Sequence, residues 1–185
     1  MTVPSLETAR FQLRPLALGD AALYIALYTD PAVMLHVVEP LDAAVADQAF
    51  RRVESFNRWG CEEYRTWVVV EKAARQEIGL LALVARDGMH EIGALIWPKW
   101  HNGGAATEII RRLMDFAFAD IGCETVFTLH RAENGGAEGL MRKLDFRRIP
   151  AEGSKGGEVR WERTRRRWQR AGGMQTRAPM TAPSE

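Results

Sequence analysis

The sequence predicts a mixed α/β (α+β) domain in which one sheet of six to seven strands packs against about four helices. Two observations support this prediction. The spacing of apolar residues changes along the chain, from the helical period of about 3.6 residues to short β-rich runs and back. Three β-rich runs between residues 66 and 97 are joined by connections too short for parallel crossovers, whereas a helical stretch separates the next two runs.

The first third of the chain predicts one strand and two helices. Phe11–Leu16 alternates apolar and polar residues, as a half-buried strand does. Gly19-Asp20 can cap a helix that stops at Asp30-Pro31. A second helix is predicted over residues 42–59, where four apolar side chains share one face: Val45, Ala49, Phe50 and Val53.

The middle of the chain predicts an antiparallel meander followed by a crossover. The meander consists of strands 66–70, 78–84 and 91–97. A helix over residues 105–120 ends at Gly122, and a strand at 125–129 completes the crossover. The core face of that helix comprises Ile109, Ile110, Leu113, Met114 and Ala117.

The last part of the chain predicts a short helix over 137–144 and strands over 146–149 and 159–164. We expect a single domain over residues 1–168. Residues 169–185 contain small residues and prolines without core anchors, which predicts a disordered tail.

The composition is that of an ordinary globular protein. The chain has 185 residues, 46% of them hydrophobic and 26% charged, which excludes disorder over its whole length. Cys61 and Cys123 are the only cysteines, so a disulfide scaffold is excluded. The absence of a long apolar run and of an apolar N-terminal segment predicts a cytoplasmic protein without membrane contact.

The charge is distributed unevenly although the whole chain has a net charge of only +1. Residues 140–170 hold eleven basic and four acidic residues, and Arg160–Arg170 alone holds six arginines with two tryptophans among them. One interpretation is a surface for RNA or an acidic partner at residues 160–170. The other is a solvated final strand that runs into a tail.

A glycine turn between a strand and a helix is the most informative stretch of the sequence. It spans Trp97–Glu108 and contains Gly103-Gly104 just before the helix. Free N–H groups at a helix N-terminus bind phosphate, and glycine lets the backbone approach the anion closely. The order of residues fits neither the Walker A loop nor the dinucleotide-binding fingerprint. From composition alone, the pair of glycines could equally serve only to turn the chain.

Several segments carry a resemblance to a known family. His101–Glu108 is similar to a phosphate loop that reads Arg/Gln-x-x-Gly-x-Gly/Ala, and Asn134–Phe146 is similar to a second signature, Asn-x-x-Ser-x-x-apolar-x-x-Lys-x-Gly-Phe. Leu6–Leu16, Glu77–Leu80 and Val159–Thr164 match further pieces in the same order. Over about residues 6–168 the chain resembles the GNAT superfamily of acyl-CoA N-acyltransferases, in its ribosomal-protein alanine N-acetyltransferase-like branch.

The resemblance implies the GNAT fold, a sheet splayed between its fourth and fifth strands, with acetyl-CoA as cosubstrate in the splay and no metal. The pantetheine arm would pair with the edge formed by Leu95, Ile96 and Trp97. Asn134 would bond the same arm, and Lys143 could reach the nucleotide phosphates or brace its helix. The phosphate loop would comprise His101, Asn102, Gly103, Gly104, Ala105, Ala106 and Thr107.

The implied reaction is direct acetyl transfer to a primary amine, either a protein N-terminus or a small molecule. Glu91 is the first candidate for the base that removes the amine proton, and His130 is the second. Their alternatives are a solvated strand carboxylate and a structural histidine. Ala137 stands where some relatives carry a serine acid, and the three tyrosines all precede the fourth strand, so no general acid is assigned.

A second function of a different class is also consistent with the sequence. The chain could be a catalytically weak acyl-CoA-binding module that binds RNA or a protein through its basic C-terminal edge. The lack of an assigned acid favours this alternative, and the intact order of the segments favours the enzyme. The protein is expected to be a monomer or a homodimer.

Overall fold

The computed structural model describes residues 2–150 and 157–172. Within them one sheet of eight strands has the order β1-β2-β3-β4-β5-β6-β8-β7. The strands are β1 (Leu6–Glu7), β2 (Phe11–Pro15), β3 (Tyr64–Glu71), β4 (Gln76–Arg86), β5 (Met89–Ile96), β6 (Thr125–Arg131), β7 (Arg147–Ile149) and β8 (Glu158–Thr164). The helices are α1 (Ala21–Thr29), α2 (Pro31–Met34), α3 (Ala43–Arg58), α4 (Ala105–Asp115), α5 (Gly135–Lys143) and α6 (Arg165–Arg170). The predicted mixed α/β class is confirmed.

Three short elements were not predicted. β1 has two residues, too few for an alternation to show, and pairs with β2. α2 begins at Asp30-Pro31, the pair that was predicted to end α1. The Asp30 carboxylate caps α2 by accepting hydrogen bonds from the N–H groups of Ala32 and Val33, and Pro31 takes the first helical position. The Thr164 hydroxyl caps α6 in the same way.

The end of the chain differs in part from the prediction. α6 continues to Arg170, past the expected domain end at residue 168. Residues 173–185, most of the predicted tail, lie outside the described residues.

Each face of the sheet carries its own core. Helices α4, α5 and α6 cover one face, and the predicted core face of α4 is buried there as expected. Helices α1 and α3 cover the other face, with Leu27, Phe50 and Val53 against Val68 and Leu80.

Helix α3 is joined to the sheet by one buried amide. The Asn57 Nδ2 donates to the carbonyl oxygens of Leu16 at 3.1 Å and Thr66 at 2.6 Å, and the Thr66 N–H donates to Asn57 Oδ1 at 3.0 Å. Because buried backbone groups need partners, Asn57 serves as a bridge between the start of the chain, β3 and α3.

The sheet opens between β5 and β6, which are its only parallel neighbours in the described residues. They pair at His90 with Val126 and at Glu91 with Phe127. Beyond that point β5 continues along β4 to Ile96, and β6 continues along β8 to Arg131. The predicted splay between the fourth and fifth predicted strands is confirmed at this place.

Gly79 allows β4 to lie close to β5, on the side of β5 opposite to the splay. A Cβ at this position would lie 2.1 Å from the Leu95 carbonyl oxygen, which is far inside contact distance. The backbones of β4 and β5 can therefore approach this closely only with glycine here.

Candidate active site

A cavity of about 390 Å³ occupies the splay. Its lining comes from helices α1, α3, α4 and α5, from strands β3, β4, β5, β6 and β8, and from the segments after α2 and before β7. Four predicted site residues line it: Glu91, Leu95, His130 and Asn134. The cavity lies on both sides of the opening, so a long cosubstrate and an acceptor could enter from different directions.

The other predicted residues lie around this cavity rather than in its lining. Ile96 is in the core, and Trp97 follows it at the end of the strand. The loop at 101–107 lies between β5 and α4, and Lys143 is exposed at the C-terminus of α5. The site predicted from the sequence is therefore a cavity plus an adjoining loop.

The free edge of β5 differs from the predicted run of three residues. The Trp97 N–H donates to the Ile78 oxygen at 3.0 Å, and the Trp97 oxygen accepts from Trp100 N–H at 2.9 Å. Backbone groups of successive strand residues point to opposite sides, so Leu95 and Trp97 face β4. The groups that face the splay belong to Ala94 and Ile96, of which the Ile96 oxygen lies 3.0 Å from His101 Nε2.

The loop after β5 turns through two positive φ angles, 62° at Asn102 and 78° at Gly104. Gly104 is the residue before α4, where a left-handed conformation favours glycine. The first-turn N–H groups of α4, on Ala105, Ala106 and Thr107, have no carbonyl within the helix to bond. Free N–H groups at a helix N-terminus are suited to an anion, so this end of α4 stays the predicted phosphate loop.

Arg10 holds this loop and was not identified from the sequence. Its Nη1 donates to the Gly103 oxygen at 3.0 Å, and its Nε bonds Glu108 Oε2 at 2.7 Å. Burial opposes ionisation of Glu108, but hydrogen bonds from Thr8 and Arg10 outweigh it and bring the pKa of Glu108 below its usual value. A contact between residues 10 and 108 leaves no local pattern in the sequence.

Glu91 reaches the cavity from the face that α1 and α3 cover. It pairs across the sheet with Val84, which pairs in turn with Tyr64. Its side chain is 24% exposed, and its Oε2 lies 2.5 Å from Arg86 Nε. The side chain is thus neither fully solvated nor free of a partner.

His130 reaches the cavity from the other face. Alternation along β6 places it with Val126, which packs in the core under α4. Its Nδ1 lies 2.8 Å from the Arg131 carbonyl oxygen, and a carbonyl only accepts, so Nδ1 carries a hydrogen. Its Nε2 is buried and has no hydrogen-bond partner among the described residues. Glu91 and His130 therefore do not form a pair, but approach the opening from opposite faces.

The three tyrosines of the chain, Tyr24, Tyr28 and Tyr64, all line the cavity. The rings of Tyr24 and Tyr28 stack with centroids 4.4 Å apart. Burial raises the pKa of all three phenols, so they stay neutral at physiological pH. All three precede the strand of Glu91 in the sequence. Strand pairing brings Tyr64 to Glu91, and the packing of α1 on the sheet brings Tyr24 and Tyr28.

Asn134 caps α5, and its Oδ1 accepts from the Ala137 N–H at 2.9 Å. Its Nδ2 remains as a donor at the edge of the cavity. The position was predicted from the family signature, and the cap gives its side chain a fixed orientation.

The arginine-rich segment is largely ion-paired within the chain. Arg160 bonds Glu162 at 2.7 Å and Arg165 bonds Glu124. The fully buried Arg163 and the nearby Arg167 both bond Asp145. Four of the six arginines are thus engaged, whereas an RNA or acidic partner at residues 160–170 stays a prediction.

The described residues include neither a membrane-spanning helix nor a cluster of metal-binding side chains. No helix there is long and apolar enough to span a bilayer. No group of three or more His, Cys, Asp or Glu side chains there could hold a metal ion.

Comparisons with known proteins give a consistent result. The family model described as an acetyltransferase (GNAT) domain matches residues 10–147. The uncharacterized N-acetyltransferase YoaA of Bacillus subtilis (strain 168) is 26% identical over 155 residues, which cover 78% of this chain and 84% of that protein.

Solved structures share the fold. Spermidine N-acetyltransferase from Vibrio cholerae, solved with CoA and spermine, has a TM-score of 0.71 at 21% identity and covers 87% of this chain and 99% of its own. RimL, a ribosomal L7/L12 α-N-protein acetyltransferase solved with coenzyme A, has a TM-score of 0.72 at 12% identity, with coverages of 87% and 98%. At these identities the likeness concerns the fold alone.

Proposed function

The chain belongs to the GNAT acetyltransferase family and is an acetyl-CoA-dependent acetyltransferase, and on that premise we propose direct transfer of the acetyl group to a primary amine. The amine belongs to a small molecule or to a protein N-terminus. The observation that carries the proposal is the splay between β5 and β6, which joins a free strand edge, a helix N-terminus and a cavity.

The residues around the splay fit acetyl-CoA. Ala94 and Ile96 present backbone groups that an extended amide-containing arm can pair with. The N-terminus of α4 offers N–H groups and a partial positive charge to phosphates. Asn134 adds a donor at the far side of the opening. We assign these groups, with the loop at 101–107, to cosubstrate binding, and Lys143 to a peripheral role.

When bound, acetyl-CoA would supply a thioester that an amine can attack. The protein's first contribution is to hold the two reactants together, which can lower the barrier by about 7–11 kcal/mol when the geometry is good. Its second contribution is a hydrogen-bond donor. The Ile96 N–H faces the opening and is suited to stabilise an oxygen on which negative charge develops.

We assign the two proton transfers according to the face of the sheet on which Glu91 and His130 lie. An ammonium group must lose a proton before it can attack. Glu91 lies on the face of the tyrosines, where an acceptor can approach, and Arg86 orients its carboxylate. His130 lies on the face of α5 and Asn134, so we assign it to the departing thiolate. Because Nδ1 already bonds the Arg131 oxygen, Nε2 donates a proton only from the imidazolium form of the ring.

The alternative, an acyl-CoA-binding module with a basic edge, has weaker support. It needs free guanidinium groups at residues 160–170, and four of the six arginines there are ion-paired. The lack of a serine at Ala137 is offset by His130, which offers another proton donor at the cavity.

A coupled assay tests the proposal. Release of CoA thiol from acetyl-CoA is measured with a panel of amines, and mass spectrometry identifies the acetylated product. We expect at least one amine to stimulate release above the rate of hydrolysis. If acetyl-CoA binds and no amine stimulates release, the transfer function is excluded.

A further inference from the structure

The acceptor side of the cavity has an aromatic wall, made of Tyr24, Tyr28 and Tyr64. Tyr24 is 4% exposed and packs in the core with Phe50, their ring centroids 5.6 Å apart. Tyr64 packs against Phe56 at 5.2 Å. The wall is therefore held by its own packing and does not need a ligand to form.

The charges around the cavity balance. Among the described residues that line it, the carboxylates are Glu91 and Glu158 and the guanidinium groups are Arg86 and Arg131. Glu91 is bonded to Arg86, and Glu158 faces Arg131 across β6 and β8. An acceptor with two or more ammonium groups needs an excess of carboxylates, which this lining lacks. A single ammonium group needs only one carboxylate oxygen, and Glu91, whose Oε2 bonds Arg86, has a second oxygen for it beside the aromatic wall.

The rim of the cavity on this side is apolar. His36, Val37 and Val38 line the cavity from the segment after α2, and Val37 and Val38 are 41% and 50% exposed. Exposed apolar side chains at the rim of a cavity indicate a ligand with apolar surface. Aromatic rings close to a carboxylate also attract a cation through their faces.

Resting on the proposed function, we infer that the acceptor is an amine with one positive charge on an apolar or aromatic body. Such an amine can be a small arylalkylamine or a peptide whose first residue is apolar. In the transfer, the N–C bond to the acetyl group forms, the C–S bond of the thioester breaks, the amine loses a proton and the thiolate gains one. Polyamines and small dipolar amino acids are disfavoured acceptors.

The inference is tested by comparing four acceptors: 2-phenylethylamine, the tripeptide Phe-Ala-Ala, spermidine and alanine. We expect kcat/KM for 2-phenylethylamine or the tripeptide to exceed that for spermidine and alanine at least about tenfold, a difference of about 1.4 kcal/mol. The first two acceptors distinguish a small-molecule source from a peptide source. Binding of 2-phenylethylamine to the CoA-loaded protein is measured in parallel by calorimetry.

Variants of the wall give a second readout. Tyr64→Ala should lower kcat/KM for 2-phenylethylamine about tenfold with little change in KM for acetyl-CoA, whereas Tyr64→Phe should retain most of it. Trp59→Ala is the matched control, because Trp59 is 79% exposed and outside the cavity lining. If Tyr64→Ala acts equally on every acceptor, the wall has no role in selection.

The outcomes distinguish the inference about the acceptor from the proposed transfer function. If spermidine is the better substrate, the inference is wrong and the transfer function stands. If no amine stimulates CoA release and 2-phenylethylamine does not bind, both are wrong.

Discussion

At the scale of single residues, Arg10 has the most far-reaching role that the sequence did not reveal. It neutralises Glu108 in the first turn of α4 and bonds the carbonyl of Gly103 in the preceding loop. Without it, a carboxylate would stand unpaired at the helix end assigned to phosphate. An anion there is disfavoured by an adjacent negative charge.

We therefore expect Arg10→Ala to weaken acetyl-CoA binding about three- to tenfold, with a smaller effect on kcat. The dissociation constant for CoA, measured by calorimetry, checks this. Arg51→Ala is the control, because Arg51 forms a comparable exposed ion pair with Asp47 on α3, away from the loop. An unchanged dissociation constant in Arg10→Ala would remove the loop from the cosubstrate site.

Glu108 also predicts a pH dependence of stability. Its pKa is lowered in the folded protein, so its charged form stabilises the fold above the unfolded value of about 4.3, and that contribution is lost as the pH falls below it. Glu108→Gln should thus lower the midpoint of thermal unfolding at pH 7. The difference from the wild type should shrink as the pH is lowered toward 3. A difference that is the same at both pH values would contradict the assignment.

The assignment of Glu91 predicts a change in the pH–rate profile. Glu91→Gln should lower kcat by about 10²-fold or more and remove the acid limb of the profile, because the proton acceptor is lost. Glu62→Gln, an exposed carboxylate outside the cavity lining, is the control. A retained acid limb in Glu91→Gln would transfer the role of base to another group.

At the scale of elements, the attachment of α3 to the sheet depends on Asn57. Asn57→Ala removes three hydrogen bonds and takes this partner from the Leu16 oxygen and the Thr66 N–H, whereas the Thr66 oxygen still accepts from the Leu16 N–H. We expect a loss of about 2–3 kcal/mol in the free energy of unfolding, measured by chemical denaturation. Ser55→Ala is the control, since the Ser55 hydroxyl bonds only the Arg52 carbonyl within the helix. An equal effect of both changes would contradict the bridging role.

The elements themselves were largely predictable, because long periodic stretches define α3, α4 and the meander. The helix predicted to end at Gly122 is an example. The regular α4 runs to Asp115, a π-helical segment continues to Ile121, and Gly122 ends it with a φ of 79°. The two-residue β1 and the short α2 and α6 were missed, because so few residues show no period.

The position of the free edge on β5 was predicted from the resemblance, but the residues whose backbone groups face the splay were not. Three consecutive residues were expected to face the splay, whereas a strand offers only alternate ones, here Ala94 and Ile96. Which alternate set faces the opening depends on the hydrogen bond from Trp97 to Ile78. That bond is a property of strand register, which the sequence does not specify.

At the scale of the whole molecule, the uneven charge has a structural explanation. The segment 140–170 carries a net charge of +7, and the rest of the chain is mildly acidic. Asp145, Glu124 and Glu162 each bond an arginine of this segment. Arg163, Arg165 and Arg167 thus attach β8 and α6 to neighbouring segments of the domain.

The site also depends on the whole sheet. Its separate parts could be predicted from local motifs, and the splay followed from the resemblance to the family. The approach of Glu91 and His130 from opposite faces, and the position of Tyr64 beside Glu91, arise only when the strands are paired. Tyr24 and Tyr28 reach the cavity only when α1 packs on the sheet.

The most direct test of the central claim, that acetyl-CoA lies in the splay between β5 and β6, is amide hydrogen exchange at residue resolution with and without CoA. We predict that CoA slows exchange at Ala94 and Ile96, and at Ala105, Ala106 and Thr107 in the first turn of α4. Protection confined to other parts of the chain, with these five amides unchanged, would contradict the claim.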